Sequence, residues 1–223
     1  MSRTEPLVLL PGMNCSARLW PDVPAVHGRL DRPTVDGCVD ALLAELPDRF
    51  ALAGLSLGGI VAMALVRRAP SRVTRLCLMS TNARGPSPGQ RVAWAAQRAA
   101  LSAGATARDL QRDLLPVLLH ARSPARDERA LAMADDVGEE VLDRQLAMQA
   151  TRVDERPGLA AVRVPTLVVA AEHDRLCPVE RHEEIHALVP GSRLVVLEGS
   201  GHLAPIEDPA GVGGVLAEWL TDG

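Results

Sequence analysis

A serine framed by glycines, Gly54-Leu55-Ser56-Leu57-Gly58-Gly59, stands between the apolar run Phe50-Ala51-Leu52-Ala53 and the stretch Ile60 to Val66, which closes before Pro70. The first run has the length of a buried strand and the second that of a helix, so Ser56 falls on a tight strand-to-helix turn. A hydroxyl on such a turn stands clear of the backbone. The flanking small residues relieve a strained, closely packed chain, and the N–H groups that open the helix favour developing negative charge. Two further groups lie far downstream: Asp174 in Glu172-His173-Asp174, and His202 in Gly199-Ser200-Gly201-His202. An imidazole can take the proton of an attacking hydroxyl, and a carboxylate can hold that imidazole in the accepting tautomer. The order Ser56, Asp174, His202 is the one expected when a nucleophile elbow on a parallel sheet is served by an acid and a base. Gly12-Met13 follows the first apolar run of the chain, and the amides of Met13 and Leu57 are the pair expected to receive an oxyanion. These residue types together point to acyl transfer through Ser56.

The elements that must position these groups alternate in type. Leu7 to Leu10 reads as a buried parallel strand ending at Pro11-Gly12, and Val35 to Leu46 as a helix stopped by Pro47. Val23 to Val26 is a weaker strand candidate that Pro24 confines to a sheet edge. Arg75 to Ser80, Thr166 to Ala171 and Arg193 to Leu197 complete the strands, with helices at Val179 to Leu188 and Ala210 to Leu220. Strands separated by helices predict a mostly parallel, doubly wound α/β sheet of about six strands. Residues 83–162 differ: strand-like runs vanish and amphipathic stretches recur around Val92–Leu101, Thr106–His120, Asp127–Asp135 and Glu139–Gln149, with Gly138 between the last two. The expected division is a core of residues 1–82 and 163–223 carrying a helical cap insertion at 83–162.

The chain resembles the α/β-hydrolase superfamily through Leu9-Leu10-Pro11-Gly12-Met13, the Ser56 hexapeptide, Glu172-His173-Asp174-Arg175-Leu176-Cys177-Pro178 and Gly199-Ser200-Gly201-His202. Within it the chain is similar to small, capped, cofactor-free enzymes that cleave carboxylic esters, lactones or thioesters of small acids. The resemblance implies an acyl-enzyme on Ser56, with residues 83–162 covering the site. Three departures accompany it. Pro11-Gly12 stands where His-Gly is common, and, with the sequence opening on the strand before the oxyanion loop, the fold is expected to lack the two leading strands of larger relatives. Pro21 and Pro24 leave no room for a covering helix over Trp20 to Val26, which predicts a thin sheet edge there or a partner covering it. The alternatives are a lyase or cyclase on the same scaffold that uses His202 without acylation, and a catalytically silent binding protein.

Other side chains admit two readings each. His182-Glu183-Glu184-Ile185-His186 matches His-Glu-x-x-His, whose imidazoles could share a helix face and hold zinc. No third ligand is evident, the segment lies between two strands, and a charged helix face explains the composition, so no metal or other cofactor is expected. Cys15 and Cys177 flank the site in sequence and read as buried small hydrophobes. Trp20 and Trp94 could line an acyl pocket or simply pack. Arg84, Arg91, Arg98, Arg108 and Arg112 read as solvated helix faces, the other possibility being that one pairs with a substrate carboxylate or phosphopantetheine.

Composition bounds the rest. The 223 residues suffice for one well-buried core, and a net charge of −4 gives no reason to expect a nucleic-acid or membrane partner. Every basic residue is Arg, so a lysine Schiff base is excluded, and the absence of Tyr removes phenolic contacts. Four widely spaced cysteines read as free thiols, and with no leader or membrane-length apolar run a cytoplasmic setting is expected. The expected partner is a small-molecule ester, lactone or thioester; oligomeric state is not readable.

Overall fold

The computed structural model describes residues 5–21 and 23–221. Six strands, β1 (Leu7–Leu10), β2 (Val26–His27), β3 (Phe50–Leu55), β4 (Val73–Met79), β5 (Thr166–Ala171) and β6 (Arg193–Leu197), form one sheet in the order β2-β1-β3-β4-β5-β6, and every pairing is parallel. The α/β fold expected from the strand–helix alternation is therefore the fold observed. Side chains alternate between the two faces of the sheet, as the two-residue period of a strand requires. Val8, Leu10, Phe50, Leu52, Leu76, Leu78 and Val168 enter one core layer. Leu7, Leu9, Ala51, Ala53, Leu55, Cys77, Met79, Leu167 and Val169 enter the other.

Helices cover both layers. The first is packed by α1 (Val35–Glu45) and α2 (Leu57–Arg68), whose residues from Leu57 to Val66 are all buried. Each fully buried aliphatic side chain here contributes about 1.5–3 kcal/mol relative to exposure. Between β4 and β5 lie α3 (Pro88–Ser102), α4 (Ala107–Leu118), α5 (Pro124–Thr151) and the short α6 (Arg156–Leu159). Ser87 and Thr106 cap α3 and α4 with reciprocal side-chain bonds, to Gln90 and Asp109 respectively. Gly138 interrupts α5 at φ 72°, ψ 169°, a backbone region open essentially to glycine, so the two amphipathic stretches expected there meet at a kink. The chain then returns through α7 (Val179–Leu188) and closes with α8 (Ala204–Glu207) and α9 (Pro209–Thr221).

No helix crosses Trp20 to Val26 among the described residues. A single 3-10 turn, Ala17–Leu19, precedes the two-residue edge strand β2, whose side chains are exposed. The thin sheet edge follows from the two prolines, and the strand itself is shorter than the run from Val23 suggested. No helix among the described residues is long and apolar enough to cross a membrane. All four cysteines are buried and free. The first four and last two residues of the expected core segments lie outside the described residues.

Candidate active site

Ser56 occupies the turn between β3 and α2 at φ 54°, ψ −112°, a conformation that costs a non-glycine residue free energy and persists only when its surroundings enforce it. Those surroundings are glycines for steric reasons. A Cβ on Gly54 would stand 2.3 Å from the Gly58 carbonyl oxygen, and one on Gly58 would stand 2.3 Å from that of Leu10. The start of α2 is thus pressed against the end of β1, which is what brings the Gly12 loop beside the serine: a Cβ at Gly12 would lie 3.6 Å from Ser56 Cβ. Leu57 is the first residue of α2, so its amide has no partner within the helix. The Met13 amide also has no protein acceptor among the described residues.

Asp174 and His202 come from the loops that follow β5 and β6. His202 Nδ1 donates to Asp174 Oδ2 at 2.8 Å, and both side chains are buried. Asp174 Oδ1 accepts from the amides of Leu176 and Cys177, each at 2.8 Å. Burial pushes the Asp174 carboxyl up, but the charge and hydrogen bond of His202 and the two amides outweigh it and hold it below its ordinary range. A carboxylate bonded to Nδ1–H leaves the Nε2 lone pair of His202 free to accept a proton. The two loops are stapled together: the His173 amide donates to the Ser200 carbonyl at 2.9 Å, and the Gly199 amide to Glu172 at 2.9 Å. Glu207 accepts from the Gly201 amide at 2.7 Å, directly before the histidine.

Ser56 and His202 open on the same cavity of about 250 Å³, with Met13 and Trp94 also in its wall. The structure thus gathers Ser56, His202, Met13 and Trp94 around one space and ties Asp174 behind the imidazole. It forms no hydrogen bond between Ser56 and His202. Trp20, paired with Trp94 as a candidate pocket residue, does not reach the cavity. It follows the 3-10 turn, which carries its indole into the second core layer among Leu19, Cys15 and their neighbours, where it is 3% exposed.

Several contributors carried no local sign of their role. Thr81, just after β4, donates its hydroxyl to the Ser56 carbonyl at 2.8 Å, while its own amide donates to His182 Nε2 at 3.0 Å. The first imidazole of the His-Glu-x-x-His match is therefore a buried prop of the serine turn. Burial lowers its pKa to about 4 and keeps it neutral. His186 points elsewhere, within 2.8 Å of Ser192 Oγ, so the pair makes no shared metal site. Asp174, Cys177 and His202 also offer ligand atoms within 4.8 Å of one another. Both carboxylate oxygens there are already engaged and burial pushes the Cys177 thiol up to about 12, which disfavours the thiolate a metal requires. Asn14 adds a second prop. Its amide donates to Gln145 and its side chain to Gln111 and the Ala107 carbonyl, tying the Gly12-Met13 loop to α4 and α5.

The arginines singled out by composition are engaged at the surface. Arg84, Arg98 and Arg112 pair with Glu184, Asp143 and Asp109, Arg108 pairs with Glu128 and Asp135, and Arg91 donates to the Ala150 carbonyl. The arginine in the cavity wall is Arg152, which sequence patterning did not single out.

An all-parallel sheet with a serine on a strained strand-to-helix turn, the Gly12-Met13 loop beside it and an acid–imidazole pair at the strand ends defines a hydrolase-type scaffold. The chain belongs to the alpha/beta hydrolase family, whose model, described as the alpha/beta hydrolase fold, matches residues 10–209. It is 30% identical to a pimeloyl-acyl-carrier protein methyl ester esterase of Aromatoleum aromaticum, over 94% of this chain and 95% of that one. Among solved structures it is similar to a thermophilic esterase from Thermogutta terrifontis, with a TM-score of 0.85, 26% identity and 97% and 89% of the two chains covered. It is also similar to a hydrolase from Pseudomonas aeruginosa, with a TM-score of 0.81, 25% identity and 97% and 90% covered.

Proposed function

We propose that this protein is a serine hydrolase that cleaves a carboxylic ester, lactone or thioester of a small acid through an acyl-enzyme on Ser56. The observation that carries the reading is the 2.8 Å bond between His202 Nδ1 and Asp174, with the imidazole in the wall of the same cavity as the strained serine. In this mechanism His202 Nε2 takes the Ser56 proton as Oγ attacks the carbonyl carbon. The amides of Met13 and Leu57 receive the oxyanion, and the imidazolium returns its proton to the leaving oxygen or sulfur. Water activated by the same imidazole then releases the acid and restores the serine. Helices α3 to α6 act as the cap, since α3, α4 and α5 supply much of the cavity wall. Trp94 is proposed as the acyl-pocket residue. The esterase names of the relatives support carbonyl-ester chemistry.

A fluorophosphonate probe is the direct test. It is expected to label Ser56 in the folded protein, and Ser56→Ala should abolish both labelling and turnover of p-nitrophenyl esters. Folded protein that hydrolyses esters with Ser56 unlabelled, or that retains activity as Ser56→Ala, would overturn the proposal.

A further inference from the structure

Among the described residues, one buried cation has no anion. Arg152, the residue that follows α5 and caps it, is 6% exposed and is the only arginine among the buried residues described. Its Nη1 donates to Gln149 Oε1 at 3.1 Å and its Nη2 to Gln90 Oε1 at 2.9 Å, while the buried Nε finds no acceptor. The guanidinium carbon lies 5.3 Å from the centre of the Trp94 ring, in reach of its negative face. Arg152, Gln90, Gln149 and Trp94 all line the cavity that holds Ser56 and His202.

Every one of these partners is neutral, and among the described residues no Asp or Glu forms an ion pair with Arg152. Two other buried charges have ionic partners, Glu155 in Arg67 and Asp174 in His202, and the buried Glu207 carboxylate is held by the amides of Ala121 and Gly201, whereas the Nε of Arg152 is left without any acceptor. An uncompensated charge in a low-dielectric wall is costly unless something returns that cost. Burial draws the guanidinium below its ordinary value and nearby Arg91 acts the same way, yet an arginine side chain stays protonated in proteins. Holding the fork by amide oxygens and an aromatic face orients it without quenching its charge. Its remaining N–H groups keep the planar geometry that fits a carboxylate.

We propose that Arg152 is the recognition site for a carboxylate on the substrate, so that the enzyme acts on esters, lactones or thioesters that carry a free carboxylate away from the scissile carbonyl. The proposal rests on the serine-hydrolase reading of the same cavity and narrows its substrate class. A purely structural Arg152, tying α3 to α5 through the two glutamines, would instead affect all substrates alike.

The test compares monomethyl esters of linear dicarboxylic acids, scanned by chain length, with methyl esters of neutral acids of matching length, at constant ionic strength. A second pair places the carboxylate on the alcohol side, as acetyl esters of hydroxy acids against alkyl acetates. Wild type, Arg152→Gln and Arg152→Lys are assayed with both. The wild type is expected to prefer one carboxylate-bearing series by about tenfold or more in kcat/KM. Arg152→Gln should lower the charged-to-neutral ratio by about ten- to a hundredfold, mainly through KM, and Arg152→Lys should recover only part of it. The free dicarboxylate of the preferred length should inhibit wild type competitively and lose that potency with Arg152→Gln. Equal wild-type rates on charged and neutral esters at every length would overturn the assignment, as would equal losses on both series in the folded variants. Should Arg152→Gln fail to fold, wild-type discrimination and Arg152→Lys decide. Fluorophosphonate labelling of the same preparations separates the two readings: labelled Ser56 without charge preference removes the carboxylate site alone, whereas unlabelled Ser56 removes the hydrolase reading beneath it.

Discussion

Replacing His182 by Gln should flatten the acid limb of this protein's stability. His182 is fully buried, its Nε2 accepts the Thr81 amide, and its Nδ1 lies 3.3 Å from the Pro178 carbonyl, so both ring nitrogens are committed in the neutral form. Burial is the main reason its pKa falls from 6.5 to about 4. In the unfolded chain the imidazole takes up its proton below about pH 6.5, whereas in the folded chain it resists down to about 4. Between those values the unfolded state binds more protons, so stability is complete above about pH 6.5 and declines as the pH falls through that window. At about 1.4 kcal/mol per pH unit the interval amounts to about 3 kcal/mol. Gln can offer an oxygen to the Thr81 amide and does not titrate. Urea unfolding of wild type and His182→Gln between pH 4 and 8 would measure the effect, with the difference in unfolding free energy moving by about 3 kcal/mol in the variant's favour on acidification. Parallel pH profiles would refute the reasoning, since they would mean that His182 takes up its proton in the folded protein as readily as in the unfolded chain. Because Thr81 also bonds the Ser56 carbonyl, acid charging of His182 should loosen the serine turn as it destabilises the fold.

Asp174→Asn should leave the melting temperature nearly intact yet reduce kcat by about ten-thousandfold, because the amide presents a donor to Nδ1 and selects the tautomer that cannot accept the serine proton. A loss under tenfold on a p-nitrophenyl ester would show that the carboxylate does not set that tautomer. Gly58→Ala should cost about 1–3 kcal/mol, since its Cβ would meet the Leu10 carbonyl oxygen at 2.3 Å and force α2 away from β1. Thermal unfolding should record about 2–4 °C lost for each kcal/mol, with labelling of Ser56 slowed as well. Unchanged melting and labelling would contradict the close approach of the two elements.

The strands and helices of the core were legible because their signals are local. The runs at Thr166–Ala171, Val179–Leu188 and Arg193–Leu197 coincide with β5, α7 and β6. Gly138 marked the break in α5 because few other residues adopt its backbone angles. The short helices α6 and α8 were not legible, since a single turn carries no periodicity.

What the sequence by itself determined is the scaffold and the types and order of the candidate reacting groups: alternating strands and helices, the glycines around Ser56, and Asp174 and His202 at later strand ends. Each follows from a period or a turn requirement within a few neighbouring residues. Only the tertiary structure decided which groups are solitary and which are partnered. Trp20 and Trp94 are the same residue type, and one packs under the sheet while the other faces the cavity. His182 carries a metalloprotease spelling and serves as a buried acceptor for Thr81, which is 101 residues away in the chain. Arg152 differs from the surface arginines only in what surrounds it, because charge pairing depends on distances across the fold that no local pattern of residues records.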